Sequence, residues 1–369
     1  MALSKLNNDS FADTAVHGRR NLVINGAMQV AQRGTSSTNS GSYTVDRFQS
    51  TYSSVDESPT QAQVDVASGT TPYSLGFRKA YRVTNGNQTS GAGAGDILNY
   101  RYIFEAQDIA NSGWDYTSSS SYVTLSFWAK SSVAQTFYGH MKTFDGTVYN
   151  YPFSLGALSA DTWTKVTKTI PGNSGLQIDN DNGQGLEFRI LMFLGTDRTA
   201  SVTENAWAVY DNTQRTPDNT STWYTTNDAT FEITGVQLEV GDKATPFEHR
   251  SFGEELELCR RYYNQWSDGD KTYHSLGVGA MYNNTYLQGG FELGTEMRAV
   301  PTLVQENSSS AYGFSAHGAF PQFDTFSGLD ASTTEKAVVL YRNGSISSTQ
   351  GAGGMIFAVS STLALDAEL

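Results

Sequence analysis

The sequence predicts an all-β protein: an antiparallel jelly-roll-like sandwich, a linking amphipathic helix, and then a smaller C-terminal β domain. Roughly ten short segments between residues 43 and 240 alternate apolar and polar side chains, as half-buried strands do. Clusters of Gly, Asn, Asp and Pro separate these segments and predict turns. Only one stretch, residues 251–267, has the apolar spacing of a helix.

The strand pattern is clearest in residues 121–132, where positions 123, 125, 127 and 129 are apolar and Trp128 falls on the opposite face. Residues 186–194 are apolar at nearly every position, which predicts a central strand covered on both faces. Together the segments predict a two-sheet sandwich over residues 21–250. The other strands predicted for it are 43–52, 60–68, 77–85, 99–107, 136–144, 147–156, 162–170 and 229–240.

The predicted helix begins with Ser251 and Glu254 in the spacing of a capping box. Acidic residues come early and Arg260 and Arg261 late, an order that suits the helix dipole. One apolar stripe is formed by Leu256, Cys259, Tyr263 and Trp266. The pattern predicts roughly four turns that link the sandwich to the next domain.

Strand patterns return in residues 268–369 and predict the second, smaller β domain. Residues 1–20 have too few apolar side chains to bury a core of their own. We therefore expect them to form an arm that becomes ordered against a partner.

Composition excludes several classes of protein. The 369 residues carry 24 Lys and Arg against 37 Asp and Glu, a net charge of −13, which argues against binding the phosphate backbone of nucleic acid. A single cysteine excludes an intrachain disulfide framework and a cysteine-based metal cluster. No apolar run is long enough for a membrane span, and the N-terminus lacks the pattern of a signal peptide. We expect a protein that is made in the cytoplasm, a reducing compartment, or that is indifferent to oxidation, and that does not insert into a membrane.

The sequence contains little that predicts catalysis. The five histidines are scattered, and neither a GxSxG elbow nor a phosphate-binding loop occurs. Glycosidases need two carboxyl groups across a cleft, and three acids fall on or near sandwich strands: Glu187, Glu232 and Glu239. Because nothing singles out a pair, we predict that the protein is not an enzyme, with hydrolysis of glycans as a lesser alternative.

One loop resembles a calcium site. Asp179 and Asp181 begin an Asp/Asn/Gly segment, but the positions that an EF-hand would fill with a liganding residue, glycine and glutamate hold Gly183, Gln184 and Ile190. A glycine-rich turn explains the segment, and a structural Ca²⁺ held by the two aspartates is the alternative. No other cofactor is predicted.

Aromatic side chains are abundant, with 20 Tyr, 19 Phe and 6 Trp. Rings on a sheet face can stack on sugar rings, although they also stabilise sheets by cross-strand packing. Trp128 and Tyr138 are candidates for sugar contact in the sandwich. Candidates in the C-terminal domain are Tyr282, Tyr286, Tyr312, Phe320 and Phe323.

Several motifs in order resemble a family of bacteriophage tail-fibre proteins. These are NLVINGAMQVAQRG (21–34), YTVDRF (43–48), SYVTLSFWAKSS (121–132) and ITGVQLEVGDKATPFEHRSFGEELELCRRYY (233–263). The segment MRAVPT (297–302) is also similar to the C-terminal domain of that family. The resemblance covers about residues 21–266 and fades beyond 302.

The resemblance implies a virion appendage with a sandwich similar to a carbohydrate-binding module. It implies a homotrimer attached to other virion proteins through residues 1–20, with the C-terminal domain distal and facing the receptor. We therefore predict a tail fibre that binds host cell-surface polysaccharide and is located on the virion. A capsid-bound head fibre or a structural decoration protein remains the alternative, because the chain is short and has no long shaft.

Overall fold

The protein is described from a computed structural model, which places residues 20–344 and 346–369. The N-terminal arm predicted over residues 1–20 thus lies, apart from Arg20, outside the described residues. The chain divides into two compact units, Met1–Glu255 and Leu256–Leu369. Strands dominate both units, so the all-β prediction is confirmed.

Twelve strands and two short helices make up the described part of the first unit. The strands are β1 (Ser36–Ser37), β2 (Phe48–Ser53), β3 (Thr60–Asp65), β4 (Lys79–Thr84), β5 (Ile97–Glu105), β6 (Tyr122–Ser131), β7 (Gln135–Thr143), β8 (Tyr149–Leu158), β9 (Thr164–Pro171), β10 (Gln184–Leu194), β11 (Ala208–Val209) and β12 (Thr230–Val240). The helices are α1 (Thr71–Ser74) and α2 (Ala106–Ala110), with a 3₁₀ turn at Thr196–Arg198.

The strands form two six-stranded sheets. The first sheet has the order β1-β3-β4-β12-β6-β9, and the second has the order β11-β8-β7-β10-β5-β2. Every pair of neighbouring strands within them is antiparallel. This order confirms the predicted jelly-roll-like sandwich, and β10 lies inside its sheet, as predicted.

The core lies between the two sheets, where the inward-facing residues of β6 and β10 meet. The apolar face predicted for residues 123–129 is buried, and the rings of Phe127 and Phe188 lie 5.5 Å apart between centroids. Because side chains alternate along a strand, each sheet also has an outward face. On β6 this face carries Trp128, and on β10 it carries Glu187 and Arg189.

Polar side chains fasten the opening segment of the first unit to its closing segment. The Asn21 side chain accepts from the Leu238 amide at 3.1 Å and donates to the Val236 carbonyl at 3.1 Å. The Asn25 amide donates to Glu255 at 2.6 Å. Between Asn21 and Val236 sits Gly26, where an added Cβ would lie 2.1 Å from the Val236 carbonyl oxygen, so only glycine fits. We call these contacts the terminal clamp.

Helix α3 (Phe252–Arg260) is shorter than the sequence pattern predicts. Its start is as expected, because Glu254 accepts from both the amide and the hydroxyl of Ser251 at 2.8 Å. The prediction of a helix to residue 267 is wrong. Residues from Tyr263 form a strand instead, because pairing with the end of the chain overrides their local helical spacing.

The described part of the second unit contains ten strands in two antiparallel sheets, ordered β13-β22-β16 and β18-β17-β21-β14-β15-β20-β19. The strands are β13 (Tyr263–Asp268), β14 (His274–Asn283), β15 (Tyr286–Glu292), β16 (Thr302–Gln305), β17 (Tyr312–Ser315), β18 (Gln322–Phe323), β19 (Gly328–Leu329), β20 (Ala337–Asn343), β21 (Gly353–Ala358) and β22 (Thr362–Asp366). None of the helices in the described chain has the length and apolar character that a membrane crossing requires.

Candidate functional site

Trp128 lies on the outward face of the first sheet, as its place in the β6 alternation predicts. It is only partly buried, and it packs beside the buried ring of Phe77 and the partly buried ring of Phe247. A tryptophan with one accessible side can offer a flat apolar surface to a ligand.

These rings border a cleft of about 440 Å³, which we call the Trp128 cleft. Its volume lies in the range of small-molecule sites. It is lined by Leu75, Phe77, Ser126, Phe127, Trp128, Lys165, Gly235, Ala244, Thr245, Pro246, Phe247 and His249. No carboxylate is among these residues, so the cleft holds no pair of acids for glycoside hydrolysis.

One wall of the cleft is formed by Phe77 together with Phe247 and His249 from the segment that follows β12. The rings of Phe77 and Phe247 meet edge to face at 4.9 Å, and Phe247 meets His249 at the same distance. His249 Nε2 lies 2.9 Å from the carbonyl oxygen of Leu75, which fixes the imidazole at the rim. The wall is therefore held by ring packing and a hydrogen bond before any ligand arrives.

A glycine makes room for this wall. Gly235 has φ of +64°, and a Cβ there would lie 2.6 Å from the Phe77 ring. Any larger residue would be strained in this backbone conformation and would also displace the ring. The glycine in the Ile-Thr-Gly-Val part of β12 thus allows Phe77 to pack against the sheet.

The cleft has few polar groups. Lys165 is exposed at its edge, and Thr245 is held in place by donating from its hydroxyl to Glu239 at 2.6 Å. Lys130 lies on the same sheet face, 5.2 Å above the Trp163 ring. Rings with a few hydrogen-bonding groups at the edge suit a saccharide, whose C–H faces stack while its hydroxyls hydrogen-bond.

Tyr138 does not join Trp128. It lies on β7, on the outward face of the second sheet, opposite Leu191 of β10. Partial burial raises the pKa of the Tyr138 hydroxyl, and the carboxylates of Glu204 and Asp218 raise it further. The two candidates of the sandwich therefore belong to two separate surfaces.

In the second unit the structure brings Tyr282 and Tyr286 together and adds a residue that the sequence analysis missed. Tyr282 is 72% exposed and meets Tyr286 at 5.9 Å between ring centroids. Tyr286 stacks on Tyr341 at 5.6 Å, with 9° between the ring planes. We call these three rings the tyrosine row. Only the pairing of β15 with β20 places Tyr341 there, and no local pattern reports that pairing.

Two of the five aromatic candidates of the second unit were predicted wrongly. Tyr312 and Phe323 are 0% and 1% exposed and form part of the core, so they offer no surface to a ligand. They face inward because β17 pairs with β18 and β21, which fixes the buried side. Phe320 is half-buried, with its ring 5.4 Å from Tyr273 and 5.6 Å from Phe357.

Asp179 and Asp181 lie in an exposed loop, where both take part in turn contacts. Asp179 accepts from the Gln177 side chain at 3.0 Å, and Asp181 accepts from the Gly183 amide at 2.8 Å. Within residues 20–344 and 346–369, no group of three or more His, Cys, Asp or Glu could hold a metal ion. The Ca²⁺ site stays a prediction.

No known family profile matches the chain, and no curated protein matches it. Solved structures that resemble it include the enzymatically active domain of tailspike protein 4 of bacteriophage CBA120, with 12% identity and a TM-score of 0.32. That match covers 60% of this chain and 21% of the tailspike chain, so this chain spans about a fifth of that length.

Carbohydrate-binding modules are also among the similar structures. A family 11 module from Clostridium thermocellum has 11% identity and a TM-score of 0.25, covering 55% of this chain and 91% of the module. A tandem of two family 22 modules from Paenibacillus barcinonensis has 9% identity and a TM-score of 0.27, covering 87% and 93%. TM-scores this low do not establish a common fold, so the fold assignment rests on the sheet order alone.

Proposed function

We propose that the protein binds a cell-surface glycan without cleaving it, as an appendage of a bacteriophage tail. The Trp128 cleft carries this proposal, because it combines an accessible tryptophan, a wall of two further rings and a rim with hydrogen-bonding groups. The motifs that resemble phage tail-fibre proteins support the assignment to a virion.

The three acids considered for hydrolysis have structural partners, which supports a non-enzymatic role. Glu187 pairs with Arg101 at 2.5 Å and Glu232 with Arg82 at 2.6 Å. Glu239 accepts from the amide and the hydroxyl of Thr245. A carboxylate that is held in this way is not available as an acid or a nucleophile at a cleft.

The proposal is tested by glycan-array binding of the full chain, followed by titration of one neutral oligosaccharide from the array. Trp128→Ala should weaken its binding by about tenfold or more, because stacking on the ring is lost. Trp128→Phe keeps an aromatic face and should retain most of the affinity. Equal affinity in wild type and Trp128→Ala would remove the cleft from the proposal.

A second experiment separates the receptor-binding role from a purely structural one. Gold-labelled antibody against residues 268–369 should cluster at the tail of intact particles. Gold spread over the capsid would favour a head fibre or decoration protein, as would failure of the purified protein to adsorb to host cells. Release of reducing sugar from host polysaccharide would contradict the non-enzymatic assignment.

Substitutions in the tyrosine row test whether the C-terminal domain contacts the host cell. Tyr282→Ala and Tyr286→Ala should reduce adsorption to host cells and leave the unfolding temperature nearly unchanged, since Tyr282 is largely exposed. Adsorption equal to wild type in both variants would show that the distal contact lies elsewhere.

A further inference from the structure

The outward face of the second sheet carries a group of charged side chains that the Trp128 cleft does not involve. Across the sheet, Arg189 of β10 lies beside Arg101 of β5 and His140 of β7. In the next row, Glu187 lies beside Lys142. Side chains two residues apart on a strand share a face, so all five groups converge.

Glu187 is the centre of this group. Its side chain is fully buried, and its carboxylate accepts from Arg101 Nε at 2.5 Å and from Arg189 Nε at 2.7 Å. His140 Nε2 lies 3.6 Å from it. Burial alone would raise the pKa of the Glu187 carboxyl, but His140 and the two guanidinium groups hold that pKa well below its usual range. Glu187 is therefore an anion at neutral pH.

Positive charge exceeds negative charge on this surface. Arg101 and Arg189 are joined on this surface by the half-buried Lys142. Its ammonium lies over the rings of Phe144 at 4.3 Å and Tyr210 at 5.0 Å. No carboxylate of the described chain lies within 4.0 Å of that ammonium. Burial lowers the pKa of Lys142, and so do Arg189, Arg101 and Arg215. On the strands, one carboxylate thus faces three cations, Arg101, Lys142 and Arg189, in a protein whose net charge is −13.

The same face holds buried polar atoms without hydrogen-bond partners among the described residues. They are Nδ1 of His140, Nδ2 of Asn99, Oδ1 of Asn150 and Nε of Arg215. Each of these side chains is at least nine-tenths buried. Buried polar groups are nearly always satisfied in native proteins, so such a concentration on one face marks a place where a ligand or water supplies the missing partners.

Aromatic and hydroxyl-binding groups surround the charges. Tyr210 flanks Lys142, Tyr138 lies two residues before His140 on the same face of β7, and beside Asn150 lies a cleft of about 420 Å³ lined in part by Trp207, Gln214 and Asp211. The acids of this region, Asp211, Glu204 and Asp218, belong to the segments before and after β11, between β10 and β12. Strands β5, β7 and β10 supply the cations, so the anionic part of a ligand would lie over these strands.

We propose that Arg101, Lys142 and Arg189, which surround the buried Glu187 and His140, bind the anionic group of an acidic saccharide, a carboxylate or a phosphate ester. The proposal rests on the proposed function, since it assumes a glycan as the ligand, and it uses a different surface from the Trp128 cleft. Guanidinium and ammonium groups recognise both anions, while the neighbouring rings and amides suit the sugar that carries them.

The test is binding of the full chain to polygalacturonate, with fully methyl-esterified polygalacturonate as the neutral match and glucose 6-phosphate as the phosphate probe. Wild type should bind at least one anionic probe, more weakly as salt rises, and should bind the ester at least about tenfold less tightly. Preference for the polymer or for the phosphate decides between the two anions. Binding of neither anion, or equal binding of the ester, would overturn the proposal.

Variants locate the site. Lys142→Ala should weaken anion binding by about tenfold, since a charge-assisted contact is lost. Lys79→Ala removes the same charge at an exposed pair with Asp65 on the first sheet and should leave anion binding unchanged. Equal losses in both variants would show a general effect of net charge and would contradict the proposal. Trp128→Ala should also leave anion binding intact, so failure of the Trp128 cleft and failure of this surface give different results.

Discussion

The two outward faces of the sandwich are built alike and differ in their surroundings. Each has one buried glutamate held by two basic side chains: Glu232 by Arg82 and Lys130 on the first sheet, and Glu187 by Arg101 and Arg189 on the second. The first face also carries Trp128 and Trp163, and the second carries a further cation, Lys142.

This difference shows how one strand pattern serves two kinds of surface. Inward positions must be apolar in both sheets, because they form a common core. Outward positions are free of that constraint. On each outward face an ion pair compensates the charge of the buried glutamate, and the neighbouring side chains determine which kind of ligand the face suits. The first face is suited to neutral rings, and the second retains uncompensated positive charge.

Removal of the buried glutamate should distinguish the two faces by the largest change in stability. Glu187→Gln should lower the free energy of unfolding by about 3 kcal/mol or more, because Arg101 and Arg189 lose the buried carboxylate that they share and Lys142 loses a nearby negative charge. Glu232→Gln is the matched change and should cost less, since it leaves two cations that are partly exposed. Urea unfolding at pH 7 measures both, and a larger loss for Glu232→Gln would show that the surplus charge does not matter.

The pH dependence of stability should come next in size. Burial lowers the pKa of His140 from 6.5 to about 4, even though Glu187 opposes the shift. As the pH falls below 6.5, the unfolded chain binds this proton before the folded chain does, so stability decreases until about pH 4. Between pH 6.5 and 5 the loss should approach about 2 kcal/mol. His140→Asn should show a shallower pH dependence of stability in the same window. An unchanged slope would mean that groups other than His140 cause this dependence.

On the first face, Phe247→Ala should destabilise the protein by about 1–2 kcal/mol, because the edge-to-face contact with Phe77 is lost and the cleft widens. Phe247→Leu keeps most of the volume and should lose less. Thermal unfolding with and without a bound neutral glycan measures both effects. Equal stability of Phe247→Ala and wild type would mean that the wall is not held by ring packing.

The smallest effect should have the opposite sign. Lys142→Ala should raise the free energy of unfolding by about 0.5 kcal/mol in the absence of anions, since it relieves repulsion among partly screened cations. Raising the salt concentration should reduce the difference from wild type. A destabilised Lys142→Ala variant would indicate that packing of its stem on Phe144 and Tyr210 outweighs the repulsion.

Local periodicity was enough to predict the all-β class, the inward face of β6 and the start of helix α3, because these depend on neighbours in sequence. Strand pairing decided what the sequence could not predict. Tyr312 and Phe323 were assigned to the surface because the side a short strand buries depends on its partners. The helix was extended to residue 267 because its spacing gives no sign that Tyr263 pairs with Asp366.

The two candidate surfaces were predictable to different degrees. Trp128 stood out as a tryptophan on the polar side of an alternating strand. The group around Glu187 had no such signal, since Arg101 and Glu187 lie 86 residues apart and meet only in the folded sheet. Within β10, Glu187 and Arg189 are simply two polar positions in an otherwise apolar sequence.

The terminal clamp has a consequence for how the chain is made. Besides partners nearby in sequence, Asn21 and Asn25 pair with residues 236–255, more than 200 residues later in synthesis. The terminal clamp therefore cannot form until residues 236–255 have left the ribosome. Until then the first strands of the sandwich have unpaired edges. Such a long-range closure makes folding slow and exposes the nascent chain to misassembly, so a chain that ends before residue 255 should fail to reach the native state.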